Sequence, residues 1–258
     1  MLILLTNDDG INAEGIQALA DELGKDFPVE VVAPDQERSA SSHSITLNQP
    51  LTTLEFKPGW RMVTGTSADC VNLAVNKLLP KKPDLVISGI NRGANLGCDV
   101  FYSGTVAGAR EAGILGIPAF AVSVDVNPDP AERGIDYQPA AEFALKFAHY
   151  LLVQRLDHRL IFNLNFPGIP REKIKGAKFT RQGVRIYSTK VLERNDQAGN
   201  KCYLLNGSVK GGEKIEDSDI MAVEQGFISI TPLALDFTDY ELLSRLKNSD
   251  PEAWLKND

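Results

Sequence analysis

Cysteine, positive net charge and long apolar runs are all scarce in this sequence. The three cysteines, Cys70, Cys98 and Cys202, lie far apart and form no Cys-x-x-Cys pair, which argues against a disulfide framework or a zinc cage and is typical of a reducing cytoplasm. A net charge of −7 argues against a basic face that grips a nucleic-acid polymer. No segment has the length of a membrane span, and residues 2–6 are too short for a signal peptide. We therefore expect a cytoplasmic protein with no membrane partner.

What the sequence does contain is a regular alternation of short apolar segments and helical patterns. Short apolar segments predict strands at 2–6, 29–34, 84–89, 118–124 and 160–167. Amphipathic patterns between them predict helices at 16–25, 68–79, 105–115 and 140–156. Continuously apolar strands separated by helices indicate a parallel sheet that is covered on both faces. We therefore expect an α/β fold, a Rossmann-like doubly wound and mostly parallel sheet, with an inserted hairpin or small sheet in 44–65.

The composition changes after about residue 176, where polar and Gly-rich stretches separate short β-type patterns. Three segments predict β-hairpins, at 178–188, 202–208 and 226–233. Two short helical segments, 242–247 and 252–256, follow them. We expect a single domain over 1–258, with a β-hairpin region at 176–235 and a helical tail at 238–258. The hairpins are either an appendage to this domain or an oligomerisation arm.

Small polar residues and glycines follow the first three predicted strands. The ligand site of an open parallel sheet lies beyond the carboxyl ends of its strands, and Asp8 and Asp9 stand side by side at the first of these ends, before Gly10. Two adjacent carboxylates repel each other unless a cation neutralises them, and oxygen ligands favour Mg²⁺ or Mn²⁺. Alternatively, one acid caps a helix and the other is a solvated loop charge.

Two predicted helix N-termini lie at the same edge as these acids. Residues 103–105 and 65–67 place Ser and Thr where a helix begins, and the free backbone N–H groups of such a terminus bind phosphate. Most Ser and Thr caps are nevertheless purely structural. Asn91 and Asn95 lie in a Gly-rich segment that suits close approach of a ligand, or simply forms a surface loop. His43 lies in the Ser-rich loop after the second strand and is a candidate for a site role.

Five motifs, taken together, resemble the survival protein SurE family of metal-dependent nucleotide phosphatases. They run in order through roughly the first 125 residues, and the C-terminal third resembles the family more loosely, in length and hairpin character. The motifs are ILLTNDDG (3–10), VVAPDQERSASSHSIT (31–46), GTSADCVNLAVN (65–76), SGINRGANLG (88–97) and YSGTVAGA (102–109).

The resemblance implies a set of site residues and an activity. It implies one divalent ion per subunit, Mg²⁺ or Mn²⁺, with the family's ligands falling on Asp8, Asp9, Ser39 and Asn91. The family's phosphate-side residues fall on Asn95, Ser103, Gly104 and Thr105, with His43 as a further candidate. The implied reaction is hydrolysis of nucleoside 5′- and 3′-monophosphates, with short polyphosphate as a further substrate in some members. The resemblance also implies a homodimer or homotetramer formed through C-terminal segments.

The implied mechanism is attack by a metal-activated water on the phosphoryl group, with Asp8 and Asp9 as the catalytic residues. One of the two aspartates acts as ligand only, as general base or as nucleophile, and the sequence leaves these alternatives open. A haloacid-dehalogenase-like phosphatase is a rival, but its chemistry uses Asp-x-Asp rather than adjacent acids. A non-catalytic nucleotide-binding module is a second rival, although it has no need for a charged pair together with oxygen ligands on separate strand ends.

Overall fold

The computed structural model describes residues 1–126, 134–154, 159–247 and 249. Its strands are β1 (Ile3–Thr6), β2 (Val29–Pro34), β3 (Thr53–Lys57), β4 (Trp60–Val63), β5 (Leu85–Arg92), β6 (Ala119–Val124), β7 (Ile161–Phe166), β8 (Ala177–Phe179), β9 (Arg185–Asn195), β10 (Lys201–Gly212) and β11 (Ile228–Leu233). Its α-helices are α1 (Glu14–Leu23), α2 (Ser67–Leu73), α3 (Gly104–Ile114), α4 (Gln138–Gln154), α5 (Asp219–Glu224) and α6 (Tyr240–Leu246).

A nine-stranded sheet in the order β3-β4-β2-β1-β5-β6-β7-β11-β8 forms the centre of the described chain. Its middle strands are parallel, and Leu5 of β1 pairs with Val31 of β2 on one side and Ile87 of β5 on the other. The predicted strand positions are confirmed to within a few residues, and so is the mostly parallel α/β fold. The carboxyl ends of β1, β2, β5, β6 and β7 therefore lie along one edge.

Helices cover both faces of the sheet and produce two separate hydrophobic cores. Successive strand residues point to opposite faces, so Leu5 packs in one core and Leu4 in the other. The first core lies against α1 and α4, while the second lies against α2 and α3. Burial on both faces explains why the sequence of the central strands is continuously apolar.

The C-terminal region differs in part from the expectation. A hairpin does form, because β9 and β10 pair in antiparallel fashion as a sheet of their own. However, 226–233 is not a hairpin, since β11 joins the main sheet antiparallel to β7, and β8 adds on beside β11 in parallel. The reason is burial: Ile228 and Ile230 complete the first core, which a free hairpin cannot do.

Other expectations hold with shifted bounds. The insertion at 44–65 is an antiparallel hairpin of β3 and β4 at the sheet edge. The predicted helix at 68–79 is α2 followed by a π-helical turn over Ala74–Leu78. The helical segment at 242–247 is α6, whereas the predicted helix at 252–256 and the end of the one at 140–156 lie outside the described residues. Within the described chain, no helix combines the length and the apolar character that crossing a bilayer requires.

A buried carboxylate joins the C-terminal region to the carboxyl edge of the sheet. Asp219, at the start of α5, is fully buried; its Oδ2 accepts the N–H of Gly97 and its Oδ1 accepts those of Gly183 and Ile220, each at 2.8 Å. Burial raises the pKa of Asp219, and the hydrogen bonds from these N–H groups oppose that shift. Asp219 thus connects the loop after β5 to the segment that leads into β9.

Replacing Asp219 with alanine should destabilise the fold. The substitution leaves buried backbone N–H groups without an acceptor, so we expect the free energy of unfolding to fall by about 2–4 kcal/mol. Urea denaturation followed by circular dichroism measures this loss. Glu224→Ala, an exposed position on the same helix, is the control and should change the free energy of unfolding by less than about 0.5 kcal/mol. Equal midpoints for both variants would contradict the role of Asp219.

Candidate metal centre

Asp8 and Asp9 follow β1 directly at the carboxyl edge of the sheet. The chain turns at Gly10, whose φ of +95° is one that glycine adopts readily, and Asn7 Nδ2 closes the turn by donating to the Gly10 carbonyl at 2.8 Å. Asp8 is buried and Asp9 is half-buried. The chain therefore turns directly after the two acids and leaves them in different surroundings.

The N-terminus of α3 packs directly on the Asp8 side chain. Thr105 Oγ1 donates to Asp8 Oδ1 at 2.5 Å, and the backbone N–H groups of Gly104 and Thr105 lower the pKa of the same carboxyl. A Cβ on Gly104 would lie 2.8 Å from Asp8 Oδ2, so only glycine fits at this position. Ser103 caps the helix as predicted, accepting the N–H of Val106 at 3.0 Å. The positive end of the helix dipole thus faces Asp8.

Both carboxyl groups bind protons more tightly than an ordinary aspartate does. Burial raises the pKa of Asp8 despite the hydrogen bonds from α3. Burial, followed by the negative charge of Asp8, raises the pKa of Asp9 to about 6. In the part of the chain that the structure describes, neither acid forms an ion pair with a basic side chain within 4 Å. The pair therefore concentrates negative charge that a bound cation would neutralise.

The loop after β2 brings Ser39 to the same edge. The loop is held at two points, where Arg38 N–H donates to the Asp8 carbonyl at 2.7 Å and Ser42 N–H donates to the Tyr102 carbonyl at 3.0 Å. Between these points Ser39 is exposed, and its hydroxyl donates to Glu37 Oε1 at 2.7 Å. Ser39 thus lies on a segment fastened both to β1 and to the residue that precedes the cap of α3.

Asn91 lies near the carboxyl end of β5, the strand that neighbours β1. Its Nδ2 donates to the Gly93 carbonyl at 2.8 Å, and this bond leaves the amide oxygen as its acceptor group. The next residue, Arg92, donates its backbone N–H to Asp9 Oδ2 at 3.2 Å. The carboxyl end of β5 therefore contacts Asp9, just as α3 contacts Asp8.

Asn95 forms hydrogen bonds to β6 and β7 that the sequence did not indicate. Its Nδ2 donates to Ser123 Oγ at 2.8 Å, and its backbone N–H donates to Asn165 Oδ1 at 2.8 Å. Its carbonyl accepts the side-chain amides of Asn163 and Asn165. These bonds hold the loop after β5 against β6 and β7. The assignment of Asn95 to phosphate binding stays a prediction.

His43 pairs with a buried glutamate of α3. His43 Nε2 lies 2.9 Å from Glu111 Oε2, and Asn72 Nδ2 donates to Glu111 Oε1 at 2.8 Å. Burial disfavours ionisation of Glu111, but the hydrogen bonds from His43 and Asn72 outweigh it, so the pKa of Glu111 is lowered. The imidazole thus fastens the loop after β2 to α2 and α3, and its predicted role toward phosphate stays a prediction.

Asp69 is a buried acid that the sequence analysis missed, and it holds the loop after β2 against the N-terminus of α2. It is buried, and it accepts the N–H and hydroxyl of Thr46 at 2.8 and 2.7 Å and the N–H of Thr66 at 2.9 Å. The signal was present, because Thr66-x-x-Asp69 has the spacing of a capping box. The N-terminus of α2 is the second of the two predicted phosphate-binding termini. It carries a capping box of its own, in which the Thr66 side chain accepts the Asp69 N–H and the Asp69 side chain accepts the Thr66 N–H.

Comparisons with known proteins agree with this geometry. The family model described as "Survival protein SurE" matches residues 3–189. This chain belongs to the survival protein SurE family. It is 48% identical over 253 residues to a Symbiobacterium thermophilum protein named 5′-nucleotidase SurE, covering 95% of this chain and 97% of that one. A Geobacter sulfurreducens protein of the same name is 45% identical, with 98% and 95% covered.

The fold of the family is also shared with a solved structure. The crystal structure of SurE protein from Aquifex aeolicus superimposes with a TM-score of 0.82 at 39% identity, covering 96% of this chain and 99% of that one. The curated relatives and this structure extend over nearly the whole chain, so the resemblance stated for the first 125 residues applies to the C-terminal third as well.

The donor set of this SurE-family chain fits a hard divalent cation. Within the described residues, no cluster of three or more His, Cys, Asp or Glu side chains is arranged for a metal. Asp8 and Asp9 offer carboxylate oxygens, while Ser39, in the loop after β2, and Asn91, near the end of β5, offer neutral oxygens from the strands on either side of β1. Oxygen-only ligands of mixed charge are what Mg²⁺ and Mn²⁺ accept.

Gly104→Ala should weaken metal binding without unfolding the protein. The new methyl group would overlap the Asp8 side chain, so the carboxylate must shift from the position in which the first turn of α3 holds it. Displacing the support of a ligand typically costs about 10–100-fold in metal affinity, and we expect a loss of this size for Mn²⁺ by isothermal titration. The melting temperature of the chelator-treated protein serves as the control. Unchanged Mn²⁺ affinity would show that α3 does not position Asp8.

Proposed function

We propose that the protein is a divalent-metal-dependent phosphatase that hydrolyses nucleoside 5′- and 3′-monophosphates to nucleoside and phosphate. The observation that carries the proposal is the adjacent pair Asp8 and Asp9, held at one sheet edge between the loop of Ser39, the end of β5 at Asn91 and the N-terminus of α3. The names of the curated relatives, 5′-nucleotidase SurE, agree with this activity. Short polyphosphate is a further candidate substrate.

The two aspartates have distinct tasks in this proposal. Asp8 is buried and fixed by Thr105, so it serves as a rigid anchor whose orientation does not vary. Asp9 is more exposed and, among the residues that the structure describes, accepts one backbone N–H, at 3.2 Å, which leaves it able to orient a water or accept its proton. Bound at this pair, Mg²⁺ or Mn²⁺ supplies Lewis acidity toward a phosphoryl oxygen and lowers the pKa of water.

The remaining site residues receive the phosphate. Ser39 and Asn91 contribute neutral oxygens, so the two carboxylates balance the charge of the divalent ion and the ligand set adds no further negative charge that would repel a dianionic phosphate. The first turn of α3, with Ser103, Gly104 and Thr105, presents the positive end of a helix dipole at the same edge. Arg92 is exposed beside Asp9, where a cationic side chain favours the approach of an anionic substrate.

A direct test is metal-dependent phosphate release. After dialysis against a chelator, the protein should release phosphate from nucleoside 5′- and 3′-monophosphates only when Mn²⁺ or Mg²⁺ is restored, as measured by a colorimetric phosphate assay. Short polyphosphate and glycerol 2-phosphate complete the panel. No release from any of these substrates with metal restored would overturn the proposed function and would favour a non-catalytic nucleotide-binding module.

Asp9→Asn should abolish stabilisation by metal. A ligand at a hundredfold excess over its Kd stabilises a protein by about 2.7 kcal/mol, which for a chain of this size is a rise in melting temperature of roughly 5–10 °C. We expect this rise with Mn²⁺ in the wild type and in Asp21→Asn, an exposed control, but not in Asp9→Asn. The metal-free Asp9→Asn protein should melt no lower than wild type, because the amide removes a like-charge contact with Asp8. A full shift in Asp9→Asn would place the ion elsewhere.

We further infer that the chain is one domain whose C-terminal segments form a homodimer or homotetramer. Support comes from the hairpin of β9 and β10, which exposes large apolar side chains. They include Ile186, Tyr187, Val191, Tyr203, Leu204, Leu205 and Val209. Apolar patches of this kind typically mark an interface. A cytoplasmic location is inferred from the cysteines, which are free in the structure and have no partner at disulfide spacing in the sequence.

A further inference from the structure

A buried acid that the proposed mechanism does not use lies on α3. Glu111 is 5% exposed, and both of its carboxylate oxygens have partners. Oε2 lies 2.9 Å from His43 Nε2, and Oε1 accepts Asn72 Nδ2 at 2.8 Å. A buried carboxylate is costly unless it is well paired, whereas apolar side chains join two helices without that cost. The contact of Glu111 with His43 therefore has a purpose beyond packing α2 against α3.

His43 belongs to the same loop as Ser39, the candidate metal ligand after β2. Two residues between or beside them, Ala40 and Ser42, have φ angles of 56° and 53°, in a region that residues with a side chain adopt rarely. Such a conformation persists only where the surroundings hold it. Ser39 and Ala40 are exposed, so burial does little to hold them. Hydrogen bonds do so instead, from the Arg38 N–H on one side and from the Ser42 N–H and the His43 ring on the other.

The helix α3 connects this loop to the first aspartate. Its first turn binds Asp8 through Thr105, and Glu111, further along the same helix, binds the loop through His43. A helix is a rigid element, so these two contacts lie at a constant distance from each other. The contact between His43 and Glu111 therefore sets where the loop lies relative to Asp8, and with it the place of Ser39.

We propose that His43 and Glu111 are positioning residues for the metal centre and that they act through Ser39. The inference rests on the proposed metal-dependent function. Without this contact the loop leaves its conformation of positive φ, and the Ser39 hydroxyl moves away from the edge at which Asp8 and Asp9 lie. Metal affinity then falls, while the sheet and its helices, which other contacts hold, stay folded. The rival role for His43 is direct binding of phosphate, which leaves metal affinity unchanged.

A double-mutant cycle on the full chain tests whether the effect passes through Ser39. By isothermal titration with Mn²⁺, we expect His43→Ala and Ser39→Ala each to weaken binding about tenfold. Adding His43→Ala to Ser39→Ala should weaken binding by less than about twofold further, because the group that His43 positions is already absent. His149→Ala is the matched control, since His149 is an exposed histidine that lies 2.7 Å from Asp26 Oδ2, and it should leave the affinity unchanged.

The cycle has outcomes that overturn the proposal. Losses that multiply in the double variant would show that His43 does not act through Ser39. Unchanged Mn²⁺ affinity in His43→Ala, with a raised KM for adenosine 5′-monophosphate, would assign the imidazole to phosphate binding instead. A wild type that binds no Mn²⁺ would overturn the proposed function itself, so the two failures are distinguishable.

A conservative variant of Glu111 separates the hydrogen bonds from the charge. In Glu111→Gln the amide oxygen still accepts Asn72, and the amide N–H donates to His43 Nε2 when the ring carries its proton on Nδ1. We therefore expect Mn²⁺ affinity within about threefold of wild type in Glu111→Gln and a loss of about tenfold in Glu111→Ala. An equal loss in both variants would contradict positioning by hydrogen bonds.

Trypsin reports on the loop in the absence of any metal. It cleaves after Arg38, which is half-buried and whose N–H is bound to the Asp8 carbonyl. Cleavage there requires local opening, so its rate follows the population of the open loop. In chelator-treated protein, His43→Ala should speed this cut about tenfold, as followed by mass spectrometry, because a hydrogen bond to a buried carboxylate is lost. His149→Ala should not change the rate. An unchanged rate in folded His43→Ala would overturn the positioning role.

Discussion

The contact between the Asp8 carboxylate and the first turn of α3 is the constraint around which the candidate site is arranged. Placing one carboxylate in a buried position beside a second one is unfavourable, because burial and like charge both oppose ionisation. The helix dipole, the Thr105 hydroxyl and the close packing of Gly104 offset part of this cost. A protein that maintains such a pair concentrates negative charge at a defined point, as a cation site requires.

Two segments from separate strands are tied to this point by hydrogen bonds from backbone N–H groups rather than by side-chain ion pairs. Arg38 and Ser42 fasten the loop after β2, and Arg92 fastens the end of β5. Three acids hold these segments through further hydrogen bonds. Asp69 and Glu111 bind Thr46 and His43 of the loop after β2, and Asp219 binds Gly97 after β5. Rigid support of this kind keeps ligands in a productive geometry.

Much of the fold was predictable from the sequence, since a continuously apolar segment such as 29–34 is typical of a strand buried on both faces. The position of β11 was not, because a short apolar segment can complete a hairpin or extend a sheet, and only burial against β7 distinguishes the two. For the candidate site, NDDG and the Ser103 cap were predicted at one edge of the sheet, and the structure brings Asp8 and the first turn of α3 together there. Asp69 was missed although its capping-box spacing was visible, and Glu111 was missed because nothing near it in the chain marks it.

The sequence by itself determined which residues stand at strand ends, since local apolar patterns set the elements and the strand-end rule places Asp8, Asp9, Ser39 and Asn91 along one edge. Only the tertiary structure decided which partners the side chains at this edge bind. The N–H groups of α3 face Asp8, the His43 ring pairs with Glu111, and the Asn95 amide binds Ser123. These partners are separated by tens of residues, and the packing of helices on the sheet brings them within hydrogen-bonding distance, which no local pattern encodes.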